Sequence, residues 1–230
     1  MWRILKCLLL SVCCMPLAAH AADVDWNAVK SLAKSDAAQV NRLVERLVAV
    51  DTSMTDQEMV QGYLANTYCH RECEADSAVV ALLGDSAHEK NIANALASLE
   101  RNPLDCSALI RVANKILELG KGEDGSLDPR HEKAAHDCYL RAFFVFKAIA
   151  STGDGSKEHP FATASVSDEY AFMRYFLHLW KYTSQSVVAT PSGTPCDMFD
   201  LSEKSEYYSA SEIYFDITRV LEMEKEMFGF

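Results

Sequence analysis

The apolar residues keep a helical period from Val24 to Ala150 and then lose it, and that change confines the chain to a fold built from two kinds of secondary structure. Val40, Leu43, Val44, Leu47 and Val48 mark one stripe, Ile92, Leu96 and Leu99 a second, and Leu109, Ile110, Ala113, Ile116 and Leu117 a third. Residues three and four apart fall on one helix face, so each stripe predicts an amphipathic helix. Thr55 with Glu58, and Ser86 with Glu89, have capping-box spacing. Asn102-Pro103 and Asp128-Pro129 place a cap residue before a proline at the first helical position. Gly84 and Gly120 suit helix ends. The pattern predicts a run of short antiparallel helices over residues 22–150.

Beyond Ala150, Ser151-Thr152-Gly153-Asp154-Gly155-Ser156 is turn-rich and reads as a hinge. Phe161–Val166 is a predicted strand, and Ser167-Asp168-Glu169 opens a helix with Phe172, Met173, Phe176, Leu177 and Trp180 on one face. Tyr182–Ala189, Cys196–Leu201 and Ser211–Ile217 are further strands, the first two joined through the Thr190–Pro195 loop. In the last, Ile213, Phe215 and Ile217 alternate with Glu212, Tyr214 and Asp216. A short helix over Arg219–Phe228 ends the chain. The expected class is α+β, with residues 151–230 forming a small antiparallel sheet with two helices.

The N-terminus carries a different signal. Met1-Trp2-Arg3 and Lys6 are basic, Cys7–Leu17 is apolar, and Ala19-His20-Ala21 has small residues where a signal peptidase reads. Residues 1–21 are therefore expected to be a secretory signal peptide, cleaved near Ala21, with the mature protein periplasmic or secreted. A lipid anchor at Cys13 would need a small residue where Val12 stands. No later stretch is long and apolar enough for a membrane span. Cleavage removes two of 22 basic residues and none of 33 acidic ones, leaving 20 against 33 and a charge of −13. Such a chain repels phosphate backbones and anionic lipid, so neither nucleic acid nor a membrane is an expected partner. Of the eight cysteines, Cys69, Cys73, Cys106, Cys138 and Cys196 would remain. Cys106 and Cys138 lie on helical patterns among aliphatic residues and read as small buried hydrophobes.

Two stretches carry a resemblance. Leu99-Glu100-Arg101-Asn102-Pro103-Leu104-Asp105, followed by a helix ending at Leu117-Glu118-Leu119-Gly120, resembles the helix junction of tetratricopeptide repeats over about one repeat. Phe146–Gly155, Ser165–Tyr170, Ser184-Gln185-Ser186, Pro195-Cys196-Asp197 and Ile213–Asp216, in that order, resemble a family of exported bacterial proteins catalogued as a domain of unknown function (number 4919). The resemblance implies a signal peptide, repeat-like helices and a small sheet-bearing C-terminal part. It implies no activity, cofactor or catalytic residue.

Several residue groups suggest chemistry. His131-Glu132-Lys133-Ala134-Ala135-His136 approaches the zinc-protease helix motif, but its histidines are five apart. At about 100° per residue their rings would point about 140° apart, so they are expected to be ordinary helix-surface residues. Cys69, His70 and Cys73, with His88 further on, are the densest set of soft ligands. Cys69 and Cys73 could be packed thiols, could form a disulfide with each other or with another cysteine, or could hold zinc or copper. Asp124-Gly125-Ser126 and Asp154-Gly155-Ser156 lack phosphate-loop and calcium-loop spacing and read as turns. Asp168 and Glu169 read first as acids in a helix's opening turn, and alternatively as a catalytic carboxyl pair with Asp154 and Asp216 near by.

The chain has no nucleophile elbow or dinucleotide glycine fingerprint. The expected function is a binding or scaffolding protein of the cell envelope with a protein or peptide partner and no cofactor. The alternative is an envelope hydrolase with a polar site around residues 153–156 and 167–170.

Overall fold

The computed structural model describes residues 24–69, 77–84 and 88–229. The expected signal segment, His70, Cys73 and the Ser86 cap lie outside the described residues. Among the described residues seven helices come first: α1 (Trp26–Ser35), α2 (Ala37–Val48), α3 (Asp56–Cys69), α4 (Ser77–Leu83), α5 (Glu89–Leu99), α6 (Cys106–Leu119) and α7 (Pro129–Ala150). Then follow β1 (Phe161–Ala162), α8 (Val166–Ala171), a π-helical turn (Phe172–Phe176), β2 (Tyr182–Ala189), β3 (Pro195–Leu201), β4 (Glu212–Asp216) and α9 (Thr218–Phe228). The protein is α+β.

The apolar stripes become the core as their period dictates. Val40, Leu43, Val44 and Leu47 of α2 are buried, as are Leu109, Ile110, Ala113 and Ile116 of α6. Helix α3 is enclosed more widely, with Met59, Gly62, Tyr63, Leu64 and Ala65 all buried. Thr55 and Glu58 form the expected capping box: the Thr55 N–H donates to Glu58 Oε2 at 2.8 Å, and the Glu58 N–H to Thr55 Oγ1 at 3.2 Å. Asp128 caps α7 ahead of Pro129. Asn102-Pro103 does not open a helix: α6 begins at Cys106, where the Asp105 carboxylate accepts the Ala108 N–H at 2.8 Å. An acceptor three residues before a free N–H caps better than a proline without one.

The sheet has the order β1-β4-β3-β2. β2, β3 and β4 are antiparallel neighbours, whereas β1 runs parallel to β4, which corrects the all-antiparallel expectation. The chain leaves β1 and returns to its side only after α8, β2 and β3, a connection long enough for a parallel pair. β1 is two residues long, not the six expected, because Ser165 turns to cap α8 and accepts the Asp168 N–H on its hydroxyl. Trp180 also departs from the predicted helix face. The π turn ends the helix with the Leu177 N–H on Phe172 O, His178 takes φ 56°, and Trp180 is 55% exposed.

Residues 24–150 and 151–229 share one continuous apolar core. Phe146 of α7 packs on Phe172, and Phe172 on Phe161 and Phe215, with ring centroids 5.0–6.3 Å apart. The Gly153–Ser156 turn is fixed by this packing. Gly155 has φ 78°, and a Cβ there would stand 2.6 Å from the Phe161 ring; one at Gly153 would stand 2.3 Å from Pro160 O. Gly155→Ala should cost about 2–4 kcal/mol, combining left-handed strain with overpacking. Urea unfolding measures this, and a loss under about 1 kcal/mol would contradict the packing account.

Candidate functional site

Three acids singled out from the sequence are interior residues. Asp168 Oδ2 accepts the Tyr63 hydroxyl at 2.8 Å, and Oδ1 accepts the Cys106 thiol at 2.9 Å. Tyr63 in turn accepts the Ala164 N–H at 2.8 Å. One carboxylate therefore joins α3, α6 and α8 with the segment that follows β1. Burial, followed by the charge of Asp105, pushes the Asp168 carboxyl above its ordinary range. Cys106 is buried as expected, but it is a hydrogen-bond donor as well as a small hydrophobe.

Glu169 is 0% exposed and faces β3. Thr163 Oγ1 donates to its Oε1 at 3.3 Å. Its Oε2 and Asp197 Oδ1 are both buried without a hydrogen-bond partner, and two such carboxylates side by side repel unless one holds a proton. Burial, then the Asp197 charge, raises Glu169 to about 9, so Glu169 is the protonated member. Gln185 Nε2 donates to Asp197 Oδ2 at 2.5 Å, and the Tyr170 hydroxyl to Gln185 Oε1 at 2.7 Å. Asp168 and Glu169 thus turn inward, to helices and sheet respectively, while Ser165 does the capping.

Asp216 is buried on the opposite face of β4. Its Oδ2 accepts the Trp26 indole N–H at 2.7 Å and its Oδ1 the Thr218 N–H at 2.8 Å, tying α1 to the start of α9. Asp154 stands apart. It is exposed, accepts the Ser156 N–H at 2.9 Å, and lines a surface pocket of about 490 Å³ with Tyr207, Tyr208, Glu212 and Tyr214. The four acids therefore do not converge: three are internal joints and one borders the pocket.

Of the soft-ligand candidates, Cys69 and His88 are among the described residues. Cys69 is half-buried, its thiol facing Ala33 O at 3.9 Å, and burial pushes the thiol up. His88 is exposed and forms the cap of α5, its N–H donating to Asn91 Oδ1 at 2.9 Å. Among the described residues no three His, Cys, Asp or Glu side chains are placed to hold a metal ion. His131, expected on the surface, is buried against Gly120, where a Cβ would stand 2.5 Å away.

Arg219 was not anticipated. Almost fully buried, it stacks on Tyr68 at 4.1 Å and donates from Nε to Thr67 Oγ1 at 3.0 Å and from Nη2 to Thr67 O at 2.8 Å. A cation on the last-turn carbonyls of α3 answers both the free acceptors and the helix dipole. The Tyr68 hydroxyl and Lys30 both reach Glu222, which completes the attachment of α9 to α1 and α3. Nothing in an isolated Thr-Arg-Val stretch signals such a role.

Helices and a mixed sheet on one core, joined by internal acids, with a pocket that only Asp154 of the four acids lines, define an α+β protein whose buried polar groups serve the fold. The chain belongs to the family described as a domain of unknown function (DUF4919), whose model matches residues 28–226 across both halves. No curated protein and no solved structure matches it.

The acid network makes stability depend on pH in a defined direction. Glu169 binds its proton more tightly folded than unfolded, so its contribution is complete below the ordinary value of 4.5 and is lost as pH rises through about 9. Asp51, which bonds Ser53 and Arg46, is held at about 2 and loses its contribution only in strong acid. Thermal unfolding should show greatest stability at mildly acidic pH and a decline toward pH 9; Glu169→Gln should flatten that decline. An unchanged slope in the variant would contradict the assignment. Separately, Tyr63→Phe should cost about 1–3 kcal/mol, because it leaves the Ala164 N–H and one Asp168 oxygen buried without a partner.

Proposed function

We propose that the protein is an exported component of the bacterial cell envelope that acts by binding or scaffolding a protein or peptide partner. The observation that carries this reading is the sealing of the acids. Asp168 and Asp216, two of the groups best suited to proton transfer, have both oxygens engaged by Tyr63, Cys106, Trp26 and Thr218, and Glu169, held by Thr163, is fully buried. None of the three lines the surface pocket. Groups committed to the fold leave the exposed surface as the working part, and an acidic surface fits a partner carrying positive charge better than a phosphate or lipid layer. Export is supported by the basic, apolar and small-residue order of residues 1–21.

The hydrolase alternative would have to use the pocket, where Asp154 and Ser156 lie beside Tyr207, Tyr208 and Tyr214. Mild crosslinking of the full chain in its native cells, then fractionation and mass analysis, tests the reading. The expected result is a periplasmic protein beginning near Ala22 and recovered with one reproducible partner, equally with wild type and Asp154→Asn. Recovery in the cytoplasm with residues 1–21 intact, or no partner, would count against it.

A further inference from the structure

The outer strand of the sheet lacks the features that normally keep a sheet edge from pairing. β2 is the last strand in the order β1-β4-β3-β2, so among the described residues no strand pairs with the N–H and C=O groups of its outer edge. It runs eight residues, Tyr182-Thr183-Ser184-Gln185-Ser186-Val187-Val188-Ala189, longer than the usual five or so. Exposed edges are commonly blunted by a charge, a proline, a bulge or extreme shortness. β2 contains no charged residue and no proline, and its register shift is confined to its first residues, between Tyr182 and Ser184. Six of its residues are rich in hydroxyl or β-branched side chains, which suit a pleated surface.

Its faces are open as well. Gln185 and Val187 pair with Phe199 and Asp197, on the sheet face that carries α8, yet Val187 is 68% exposed and Tyr182 39% exposed. The helical layer reaches β2 only through Tyr170, at Gln185 and Tyr182, and leaves Val187 open. A strand added beyond β2 would meet both free backbone groups and uncovered apolar surface.

Charge decides what that strand is. The whole chain carries −11, or −13 without residues 1–21, so two copies repel across most of their surface. The segment from Tyr182 through Thr194 carries no charge at all. Antiparallel pairing about a two-fold axis places the two Lys181 residues at opposite ends of the joined strands, so no like charges are set opposite each other. An antiparallel edge is also complementary to itself, as an isologous interface requires.

We propose that β2 pairs with β2 of a second copy, joining two four-stranded sheets into one eight-stranded sheet. This goes beyond the partner binding proposed above and does not depend on it, since it concerns a different contact.

Sedimentation velocity of the mature full chain over a concentration series tests the proposal, with Val187→Lys and Ser186→Lys as variants, each adding the kind of charge that blunts a sheet edge. Both side chains are exposed on opposite faces of β2, so circular dichroism and melting should match wild type. The expected result is a reversible dimer for wild type, and dissociation constants at least tenfold weaker for both variants. A wild-type protein that stays monomeric throughout overturns the proposal. So does a dimer that both folded variants retain, because it would use another face. Loss of the dimer with envelope-partner recovery intact would separate this contact from the proposed function.

Discussion

The hydrogen bonds that converge on Asp168 hold the two structural halves in one arrangement. A carboxyl buried this deeply is costly unless its oxygens are engaged, and the cost of losing one partner exceeds the gain from making the bond. Tyr63 and Cys106 engage them from α3 and α6, and Tyr63 holds the Ala164 N–H in the same step. The position of α8 is therefore set by polar geometry as well as by the aromatic core beneath it. Glu169, one residue along, turns instead toward the sheet, where it accepts the Thr163 hydroxyl and lies beside Asp197. Consecutive acids on a short helix consequently join opposite layers of the molecule.

The remaining connections rest on this frame. Asp216 fastens Trp26, at the start of the described chain, to the last strand, and Arg219 fastens the last helix to the end of α3. Both contacts span more than 150 residues of sequence. With one continuous core, they make residues 24–150 and 151–229 parts of a single packed body. The change at Ser151 is one of secondary structure, not of core. The family match, which runs from residue 28 to 226, crosses it without interruption.

Local signals in the sequence were sufficient for most elements. Apolar stripes located α2, α5 and α6, the Thr55–Glu58 spacing located the start of α3, and β2 matches its expected bounds. The parallel pairing of β1 was not legible, because strand order follows from long-range packing and not from alternation. Nor was the burial of Tyr214 and Asp216, which alternate with the core residues Ile213 and Phe215. The Trp26 indole covers Asp216 there, and the Tyr214 N–H is bonded in the sheet plane to Gly155 O. Asp168 and Glu169 were recognisable as unusual acids in a first helical turn. Their roles depend on Tyr63, Cys106, Thr163 and Asp197, which approach from other elements and leave no mark on neighbouring sequence. Arg219 was invisible for the same reason.

Full burial of Glu169 beside Asp197 keeps its carboxyl neutral inside the folded protein at neutral pH. Carbon-13 NMR of the side-chain carboxyl, assigned by comparison with Glu169→Gln, follows its protonation directly in the native state. The result expected is a carboxyl that remains protonated at pH 7 and titrates near 9. A carboxyl that ionises near the ordinary glutamate value of 4.5 would contradict the joint between α8 and β3 as described.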